Sequence, residues 1–499
     1  MTKFSFIDLF AGIGGFHQAL KNVGGKCIGF SEIANDAINS YCTNYKIDKS
    51  KNLGDITQLE NLPKHDFMTA GVPCQSWSIA GKKLGFDDDR GQLWNDTLFL
   101  LKKSRPKAFI FENVKGLADP RNKEAFDYIL QRIKEAGYFA HHYILNAYDY
   151  GVPQTRVRIY IIGFKEKKYY DRFILPKANP GSVQLGDILD GFERGHNSSN
   201  VKPRWSLSCN EKGFNDYFLF NDLRNGHTTI HSWDIVPTTE RQKKICYLLL
   251  QNRRKSKYGI LDGNAMGINH FQDLDHSITR TDLEELVKIG ILKHSPYKYE
   301  IYHKTIETSS DEDFLLSNNK SNIILVDELR LNKEFRKRKI GILDTLQNLE
   351  NKGIVRCIET RYDFKNTKIS TGLNGINRIF LPNSKIYPTL VASDTNDFVS
   401  TTNIKAENKE EWKAAFIKEI YETGKFRKIS KSEACKIQGF PSDFILPESR
   451  PRWMKLIGNS VAIPVVTQLA NSIVETGVFD ELEWNGEMGI QASLFSEFN

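Results

Sequence analysis

Short apolar runs alternate with helix-like segments through the first third of the chain. Segments with helical periodicity, such as GFHQALKNV and EAFDYILQRIKEAGY, lie between several of these runs. Strands separated by helices predict an α/β fold with a mostly parallel, doubly wound sheet, whose ligands bind beyond the carboxyl ends of the strands. The candidate strands are residues 4–10 (FSFIDLF), 26–32 (KCIGFSE), 65–71 (HDFMTAG), 108–114 (AFIFENV), 141–147 (HHYILNA) and 158–164 (RIYIIGF).

The strand–helix rhythm is lost in the middle of the chain and returns near its end. Residues 166–424 carry mixed charge and polar clusters such as HNSSN, SSDED and SNNKSN. From Lys425 the compact segments RKISKSEACKIQGFP and LIGNSVAIPVVTQLANSIVETG follow. We therefore predict a first part of the regular fold at 1–165, a separate middle region at 166–424, and a return segment at 425–499 that completes the fold.

A weak internal repeat lies inside the middle region. The segments 282–292 (DLEELVKIGIL) and 345–355 (TLQNLENKGIV) align at a constant offset of 63 residues, which matches Leu283 with Leu346 and Gly290 with Gly353. In each copy an amphipathic helix is predicted to end at the glycine and to precede a strand-like segment. This pattern is typical of the last helix and wing of a winged-helix fold. Two ordinary helix–glycine–strand units explain it equally well.

The net charge of the chain says little about its partners, whereas local clusters of basic residues say more. The chain of 499 residues has 69 Lys and Arg against 61 Asp and Glu, a net charge of +8. Basic residues concentrate at 241–257 and in the run 336–339, both in the middle region. Such clusters suit phosphate contact, although they are also typical of a solvated surface.

The cysteines and the apolar runs indicate the compartment. The seven cysteines form no CxxC pair, and their odd number argues against a disulfide framework. The start MTKFSFIDLF lacks the features of a secretory signal, and no stretch approaches the roughly 20 apolar residues of a membrane span. We therefore expect a cytoplasmic protein without a membrane partner.

A glycine-rich turn follows the first predicted strand. In FIDLFAGIGGFHQAL the residues Gly12, Gly14 and Gly15 join an apolar run to a helix, a turn whose exposed amides favour an anionic or polar ligand. Glu32 lies at the end of the second strand, where an acidic residue can hold ribose hydroxyls. Asp55, in GDI, is a further candidate for contact with a nucleoside. A tight turn without a ligand is the alternative for the loop, and a surface turn for Asp55.

Three further signals lie at predicted strand ends and carry chemistry. Cys74, in GVPCQSWS, follows the third strand among Gly, Pro, Gln and Ser, where a thiolate can be exposed and activated, whereas most free cysteines are buried apolar residues. Glu112, in FENV, is costly to bury without a partner or a role. Arg156 and Arg158, in QTRVR, alternate along a strand and can grip a phosphate or a carbonyl oxygen, or pair with neighbouring carboxylates.

Together these motifs resemble those of a known family. FIDLFAGIGG, GVPCQSWS, FENV, QTRVR, RKISKSEACKIQGFP and GNSVAIPV occur in the order expected of the DNA cytosine carbon-5 methyltransferases, particularly the bacterial enzymes of restriction-modification systems. The resemblance covers residues 1–165 and 425–499, and the gap lies where that family keeps its target-recognition domain. It implies a Rossmann-like methyltransferase domain with an inserted target-recognition region.

The resemblance also implies a cofactor, S-adenosylmethionine, and no metal. Phe10 would stack on the adenine, and Asn459 would help to close the active-site end of the sheet. The cofactor-binding residues that it implies are Asp8, Phe10, Ala11, Gly12, Gly14, Gly15, Glu32, Ile33, Asp55, Ile56, Pro73 and Asn459.

The implied reaction is methyl transfer to carbon 5 of a cytosine flipped out of double-stranded DNA. Cys74 would add to carbon 6, Glu112 would hold ring nitrogen 3, and Arg158, with Arg156, would hold the carbonyl oxygen and a phosphate. A specific DNA sequence, a restriction endonuclease that acts on the same site and a monomeric chain are expected.

Two alternatives to this reaction stay open. One is an RNA methyltransferase of the same family, whose members generally have short middle regions. The other is a catalytically silent DNA-binding protein, against which the presence of Cys74, Glu112 and Arg158 argues.

Overall fold

A six-stranded sheet forms the core of the first part of the chain. The computed structural model describes residues 2–73, 89–192, 217–302, 307–319, 321–404, 406 and 408–480. The strands of this sheet and the two-residue β6 are β1 (Phe4–Leu9), β2 (Gly25–Ser31), β3 (Phe67–Gly71), β4 (Ala108–Val114), β5 (Phe139–Asn146), β6 (Gln154–Thr155) and β7 (Val157–Phe164). Apart from β6, they lie in the order β2-β1-β3-β4-β7-β5, and all six predicted strands are confirmed.

The sheet is doubly wound, with helices on both faces. β1 to β4 pair in parallel, whereas β7 is antiparallel to both β4 and β5. Adjacent residues of β1 pack in cores on opposite faces of the sheet, since Phe6 packs with Phe16, whereas Ile7 packs with Trp94 and Ile129. This confirms the predicted mostly parallel α/β fold. The helices are α1 (Gly15–Asn22), α2 (Asn35–Tyr45), α3 (Asp89–Ser104), α4 (Lys123–Glu135) and α5 (Lys167–Arg172).

The middle of the chain forms smaller sheets and many short helices. The strands are β8 (Tyr217–Phe220), β9 (Thr229–Ile230), β10 (Leu292–Ile301), β11 (Ile323–Leu325), β12 (Val355–Phe364), β13 (Arg378–Phe380), β14 (Tyr387–Pro388) and β15 (Asp397–Val399). A four-stranded sheet has the order β15-β13-β8-β9, a three-stranded sheet has the order β11-β10-β12, and β14 pairs with β6. The helices are α6 (Ser232–Ile235), α7 (Glu240–Asn252), α8 (Ile268–Leu274), α9 (Arg280–Lys288), α10 (Ser310–Ser317), α11 (Val326–Leu331), α12 (Lys333–Arg338), α13 (Ile342–Asn351) and α14 (Lys409–Phe416), which continues into a π-helical turn at Ile417–Tyr421.

The repeated segments of the middle region face each other across a shared pair of strands. α9 and α13 each end before a left-handed glycine, Gly290 and Gly353, and lead into β10 and β12. These two strands, which are 63 residues apart like the sequence repeat, pair antiparallel along their whole length. A winged helix would fold each strand back into a hairpin with its own unit, whereas here each strand pairs with that of the other copy. We call residues 240–364 the paired module.

The two halves of the paired module exchange equivalent side chains. Tyr299 of β10 packs in the core of the second half, with Leu346 and Leu349, and its pairing partner on the neighbouring strand is Ile324. Tyr362 of β12, 63 residues later, packs in the core of the first half, where it bridges to Met266. The module is therefore approximately twofold symmetric, with each half completed by a strand from the other.

The C-terminal segment returns to the main sheet. Its helices are α15 (Lys431–Gln438), α16 (Arg450–Asn459) and α17 (Ile463–Glu475). Leu469 and Ile473 of α17 pack in the same core as Phe16 and Leu20 of α1. The last part of the chain therefore covers one face of the sheet that the first part builds.

The segment that contains α16 and α17 is more apolar than the sequence analysis indicated. By length and composition, Arg450–Glu475 is long and apolar enough to cross a membrane, with a mean hydropathy of 1.3 over its best window. However, the helix is interrupted between Asn459 and Ile463, and 61% of that window is buried inside the molecule. A helix of this length that is buried against a sheet is typical of a protein core.

Candidate active site

The loop between β1 and α1 turns sharply through residues with positive φ. Phe10, Gly12 and Gly14 have φ of 52°, 54° and 85°. A Cβ added at Gly12 would meet no described atom within 4 Å, so the glycine serves the backbone conformation and leaves the space beside it open. A Cβ at Gly15 would lie 2.5 Å from Oγ of Ser460, so this glycine permits α1 to approach the residues that follow α16.

Glu32 holds the glycine loop against the end of β2. Its Oε2 accepts a hydrogen bond of 2.8 Å from the amide of Gly12, and its Oε1 accepts bonds from the amides of Ile33 and Ala34 at 2.9 and 2.8 Å. The structure therefore brings the predicted ribose ligand and the glycine loop together.

Asn52 holds the backbone of Glu32 in place, and the sequence analysis did not identify this residue. Its Oδ1 accepts a bond from the Glu32 amide at 3.1 Å, and its Nδ2 donates to the Glu32 carbonyl at 2.9 Å. Asn52 belongs to no recognisable sequence motif, and its contact with Glu32 joins segments that lie 20 residues apart, so the sequence alone did not indicate it.

Apolar side chains flank this loop. Ile33 is 70% exposed, an unusual position for a large apolar side chain outside a binding surface, and Phe10 is half-buried. Ala11 and Ile56 are buried, so their side chains support the loops from below. Pro73 is half-buried, directly after β3. Ile33 and Phe10 therefore offer the apolar surface beside the glycine loop.

Asp55 uses one of its carboxylate oxygens for hydrogen bonds within its own turn. It begins the short 3-10 helix Ile56–Gln58, and its Oδ1 accepts hydrogen bonds of 2.9 Å from both the amide and the hydroxyl of Thr57. These contacts match the alternative in which Asp55 caps a turn. They use one of its two carboxylate oxygens, and the side chain is exposed at the same edge of the sheet.

Asp8 is a buried carboxyl group beneath the glycine loop. Thr69 donates a hydrogen bond of 2.9 Å to its Oδ1, whereas Oδ2 is buried without a hydrogen-bond partner among the described residues. Burial raises the pKa of Asp8 well above its ordinary value, and the nearby charge of Glu32 acts in the same direction. An unsatisfied buried carboxylate oxygen at this position is suited to a cationic or hydrogen-donating ligand.

Glu112 and Arg158 form an ion pair at the carboxyl end of β4. Nε of Arg158 lies 3.0 Å from Oε1 of Glu112, and the side chains are only 16% and 11% exposed. Gly71 is the pairing partner of Glu112 on β3, and a Cβ added there would lie 3.9 Å from Oε2 of Glu112. The second carboxylate oxygen therefore borders space that a larger residue at position 71 would fill.

The loop that carries Cys74 begins beside this pair. Cys74 itself lies outside the described residues, so the predicted nucleophile has no described position. Nδ2 of Asn113 donates a hydrogen bond of 3.1 Å to the carbonyl of Val72, and Asn113 is buried. The residue after Glu112 thus anchors the start of the loop. Adjacent residues of a strand face opposite sides of the sheet, so the motif FENV could have suggested that Asn113 has a different role from Glu112.

Arg156 lies apart from the pair formed by its neighbour Arg158. Its Nη1 donates to the carbonyl of Leu390 at 3.0 Å, and its Nη2 donates to the carbonyls of Gly458 and Ser460 at 3.1 and 2.6 Å. The guanidinium is buried, and these acceptors belong to the middle region and the C-terminal segment. The structure therefore does not bring the two arginines to one substrate group, and Arg156 joins three distant parts of the chain.

Gln154, which the sequence reading did not single out, extends the same network. Its Nε2 donates to Oε1 of Gln438 at 2.7 Å and its Oε1 accepts from the Leu390 amide at 3.0 Å, while Gln438 donates to the Ser460 carbonyl at 2.7 Å. The motif QTRVR thus divides its roles. Gln154 and Arg156 hold the chain segments together, and Arg158 faces Glu112.

Asn459 stands at the last position of α16, next to that network. Its side chain is exposed, and the next residue, Ser460, is the one that Gly15 approaches closely. Ser460, the residue after Asn459, therefore lies against the start of α1, and the role of Asn459 in closing this end of the sheet stays a prediction.

The comparison with known proteins identifies the family. Residues 4–475 match the family described as C-5 cytosine-specific DNA methylase. The chain belongs to this family. It is therefore a DNA cytosine carbon-5 methyltransferase, and the family implies S-adenosylmethionine as the methyl donor.

Curated relatives match this methylase along most of its length. It is 37% identical to the type II methylase M.HgiEI of Herpetosiphon aurantiacus over 494 residues, which span 96% of this chain and 99% of that protein. It is 29% identical to the type II methyltransferase M.NlaIV of Neisseria lactamica, over 95% of this chain and all of that protein. The type II methyltransferase M.HpaII of Haemophilus parainfluenzae is 44% identical over 38% of this chain and 53% of that protein. The first two matches therefore include the middle region.

Solved structures resemble this chain only weakly, with TM-scores below 0.5. The methyltransferase EhMeth of Entamoeba histolytica has a TM-score of 0.46 and 14% identity, covering 95% of this chain and 99% of that one. The Dnmt2 methyltransferase of S. pombe has a TM-score of 0.44 and 12% identity, covering 95% and 98%.

The residues of the methylase fit the cofactor that its family implies. S-adenosylmethionine carries an ammonium group, ribose hydroxyls and an adenine ring. The unsatisfied oxygen of Asp8 suits the ammonium group, Glu32 suits the hydroxyls, and the exposed Ile33 suits the ring. Among the described residues, no group of three or more His, Cys, Asp and Glu side chains could hold a metal ion.

Proposed function

We propose that this methylase modifies one cytosine within a specific duplex sequence and acts as the type II methyltransferase of a restriction-modification system. The relatives that match over more than nine-tenths of the chain are named type II enzymes. We further propose that the chain acts as a cytoplasmic monomer and that a restriction endonuclease cuts the same sequence when it is unmethylated.

The observation that carries the catalytic proposal is the Glu112–Arg158 pair beside the loop that begins at Val72. Cytosine needs a donor at ring nitrogen 3 and a donor at its carbonyl oxygen 2 if negative charge is to develop on the ring. Glu112, whose Oε2 lies beside Gly71, supplies the proton at nitrogen 3. Arg158, held by its ion pair with Glu112, donates to oxygen 2.

Cys74 is the proposed nucleophile. It follows Pro73 by one peptide bond, and Nδ2 of the Asn113 side chain anchors this loop by donating to the carbonyl of Val72. The thiolate adds to carbon 6 of the cytosine, and the electron pair of the ring double bond moves toward nitrogen 3, where Glu112 delivers its proton. Carbon 5 thereby becomes nucleophilic. After methylation a water molecule takes the proton from carbon 5, and the thiolate is released.

Bound S-adenosylmethionine supplies the electrophilic methyl group for carbon 5. We assign its binding to the two acidic residues Asp8 and Glu32, with Phe10 and Ile33 against the adenine and Asp55 at its edge. Asn459 and the glycine loop close the site from the side of the C-terminal segment.

The substrate must be extruded from the duplex, because none of these groups can reach a stacked base. Flipping costs a few kcal/mol, which protein contacts along the duplex offset. The middle region is the proposed source of these contacts, and its length favours duplex DNA over RNA.

The test is a pair of variants assayed on two substrates. Cys74→Ser is expected to abolish transfer of labelled methyl groups to duplex DNA while it binds S-adenosylmethionine with nearly normal affinity, and the unaltered enzyme should label duplex DNA but not tRNA. Bisulfite sequencing of DNA from cells that express the protein should show one modified sequence. Near-normal turnover by Cys74→Ser, or methylation of tRNA alone, would overturn the proposal.

A further inference from the structure

A groove runs between the paired module and the four-stranded sheet of the middle region. Its volume is about 980 Å³, and its walls include Tyr217 and Arg378 on the side of the sheet and Lys293 and Tyr297 of β10 on the side of the module. The groove is separate from the Glu112–Arg158 pair, because neither of these residues lines it.

The walls of this groove carry an excess of positive charge. Seven of the lining side chains are Lys or Arg and three are Asp. Two of the acids already have arginine partners, since Asp363 pairs with Arg253 at 2.9 Å and Asp327 with Arg330 at 3.4 Å. The guanidinium of Arg378 is held by Asp397 behind the wall. The paired charges therefore cancel, and four cations and the carboxylate of Asp262 are left on the walls.

Four exposed cations remain, each from a different segment. Arg224 follows β8, Arg254 follows α7, Lys293 lies in β10 and Lys368 follows β12. All four are exposed, and none has an ion-pair or hydrogen-bond partner for its charged group among the described residues. Their convergence on one groove cannot be read as a basic run in the sequence.

The basic runs of the sequence are partly neutralised by neighbouring carboxylates. In the first cluster Arg241 pairs with Asp282 and Lys244 with Asp275, both at less than 3 Å. In the run 336–339, Lys337 pairs with Glu334, and the guanidinium of Arg338 lies 3.8 Å from the ring centre of Phe314. Arg254 belongs to the first cluster, and the other three groove cations, Arg224, Lys293 and Lys368, lie outside both clusters.

The wall on the side of the module is held firmly in place. The guanidinium of Arg361 on β12 lies 3.4 Å from the ring centre of Tyr297 and donates to the carbonyl of Tyr258 at 2.7 Å. The buried pair Arg253–Asp363 ties α7 to the same strand. Lys293 and Arg254 are thus displayed from a fixed frame, which lowers the entropy lost when they bind a ligand.

We propose that this groove binds the phosphate backbone of duplex DNA outside the flipped cytosine, so that the paired module acts as a sequence-independent clamp. The inference rests on the proposed function, since it takes DNA as the substrate. Unpaired guanidinium and ammonium groups on both walls match a polyanion, and release of its counterions on contact drives the association.

The test compares variants with matched loss of charge by fluorescence anisotropy over a series of salt concentrations. The groove variants are Arg254→Gln with Lys293→Gln, and Arg224→Gln with Lys368→Gln. The control is Lys102→Gln with Lys134→Gln, in the last turns of α3 and α4, which end at the opposite edge of the main sheet from the active site.

Each groove variant should bind the cognate duplex and an unrelated duplex about tenfold more weakly at low salt, to the same extent for both. The slope of log K against log salt should fall by about 2, or about 0.9 for each lost phosphate contact. The control should keep the slope of the unaltered protein. All variants should keep the affinity for S-adenosylmethionine and the single-turnover rate on saturating DNA.

An unchanged slope in both groove variants would overturn the clamp while methyl transfer, and with it the proposed function, still stands. Loss of binding to the cognate duplex alone would also overturn it, because the groove would then read bases. If no variant, nor the unaltered protein, transferred methyl groups to any duplex, the proposed function would fail instead.

Discussion

Replacing Arg156 and Arg158 separately should separate stability from catalysis. The two arginines are two residues apart in the same motif, yet Arg156 is buried against the carbonyls of Leu390, Gly458 and Ser460, and Arg158 is paired with Glu112. We consider Arg156→Met and Arg158→Met, because methionine keeps much of the apolar stem and removes the guanidinium.

The cost of Arg156→Met follows from its partners. The substitution removes three hydrogen bonds from a charged donor and leaves carbonyl groups buried with fewer partners. Losing one partner of such a buried charged network costs about 3–5 kcal/mol. For a unit of this size a loss of 1 kcal/mol lowers Tm by about 2–4 °C, so Tm should fall by about 10 °C. Arg158→Met breaks a single, largely buried ion pair and leaves the Glu112 carboxyl group without its partner, which costs about 1–3 kcal/mol. Tm should therefore fall by about 5 °C, less than for Arg156→Met.

The activities should change in the opposite order. At a temperature well below both transitions, Arg156→Met should keep a single-turnover rate within about tenfold of the unaltered enzyme. Arg158→Met should lose about 100-fold or more, because a donor to the developing charge is removed. Differential scanning fluorimetry and a labelled-methyl transfer assay on the same preparations give both quantities. If Arg156→Met melts within about 2 °C of the unaltered protein, or if Arg158→Met retains full activity, the assignment is refuted.

Further predictions concern the site, the loop and the middle region. Glu112→Gln should lower the single-turnover rate by about 100-fold or more with little change in Tm, and a rate within fivefold of normal would exclude it as the proton donor. Gly15→Ala should destabilise the protein by about 1–3 kcal/mol in thermal unfolding, because its Cβ would meet Ser460 at 2.5 Å, and an unchanged Tm would contradict the close approach. Burial raises the pKa of Asp222 to about 6, so its contribution to stability is present below about pH 4 and is lost as pH rises through 6. Between pH 4 and pH 7 the free energy of unfolding of Asp222→Asn should therefore rise by up to about 3 kcal/mol relative to that of the unaltered protein. A relative loss of stability over this range would be inconsistent with a buried carboxylate.

The main sheet could be predicted because its central strands are buried on both faces, so that they read as continuous apolar runs. The edge strands β2 and β5 are more exposed, and they were located by the helical segments that alternate with the strands. The glycine loop, Glu32 and Glu112 could be predicted for a related reason. Each lies at the end of a strand that the apolar pattern locates, and parallel strands bring their carboxyl ends to one edge.

Contacts between distant segments could not be predicted in this way. Arg156 binds carbonyls 234, 302 and 304 residues away, and nothing in QTRVR distinguishes such an arginine from one that faces a substrate. The repeat at 282 and 345 predicted two similar units, but a local pattern does not show that β10 would pair with β12 rather than with its own unit. Strand partners depend on long-range packing, which the period of apolar residues leaves undefined.

The most direct test of the account is to trap the enzyme on DNA. In a duplex that contains the recognised sequence with 5-fluorocytosine at the target position, fluorine replaces the carbon-5 hydrogen and cannot leave as a cation. The elimination that releases the thiolate is therefore blocked, and its bond to carbon 6 should persist once methyl transfer has occurred. Incubation with S-adenosylmethionine, digestion and mass spectrometry should place the adduct on Cys74, in the peptide that contains GVPCQSWS. An adduct on another residue, or none with an enzyme that methylates the ordinary duplex, would contradict covalent catalysis by Cys74.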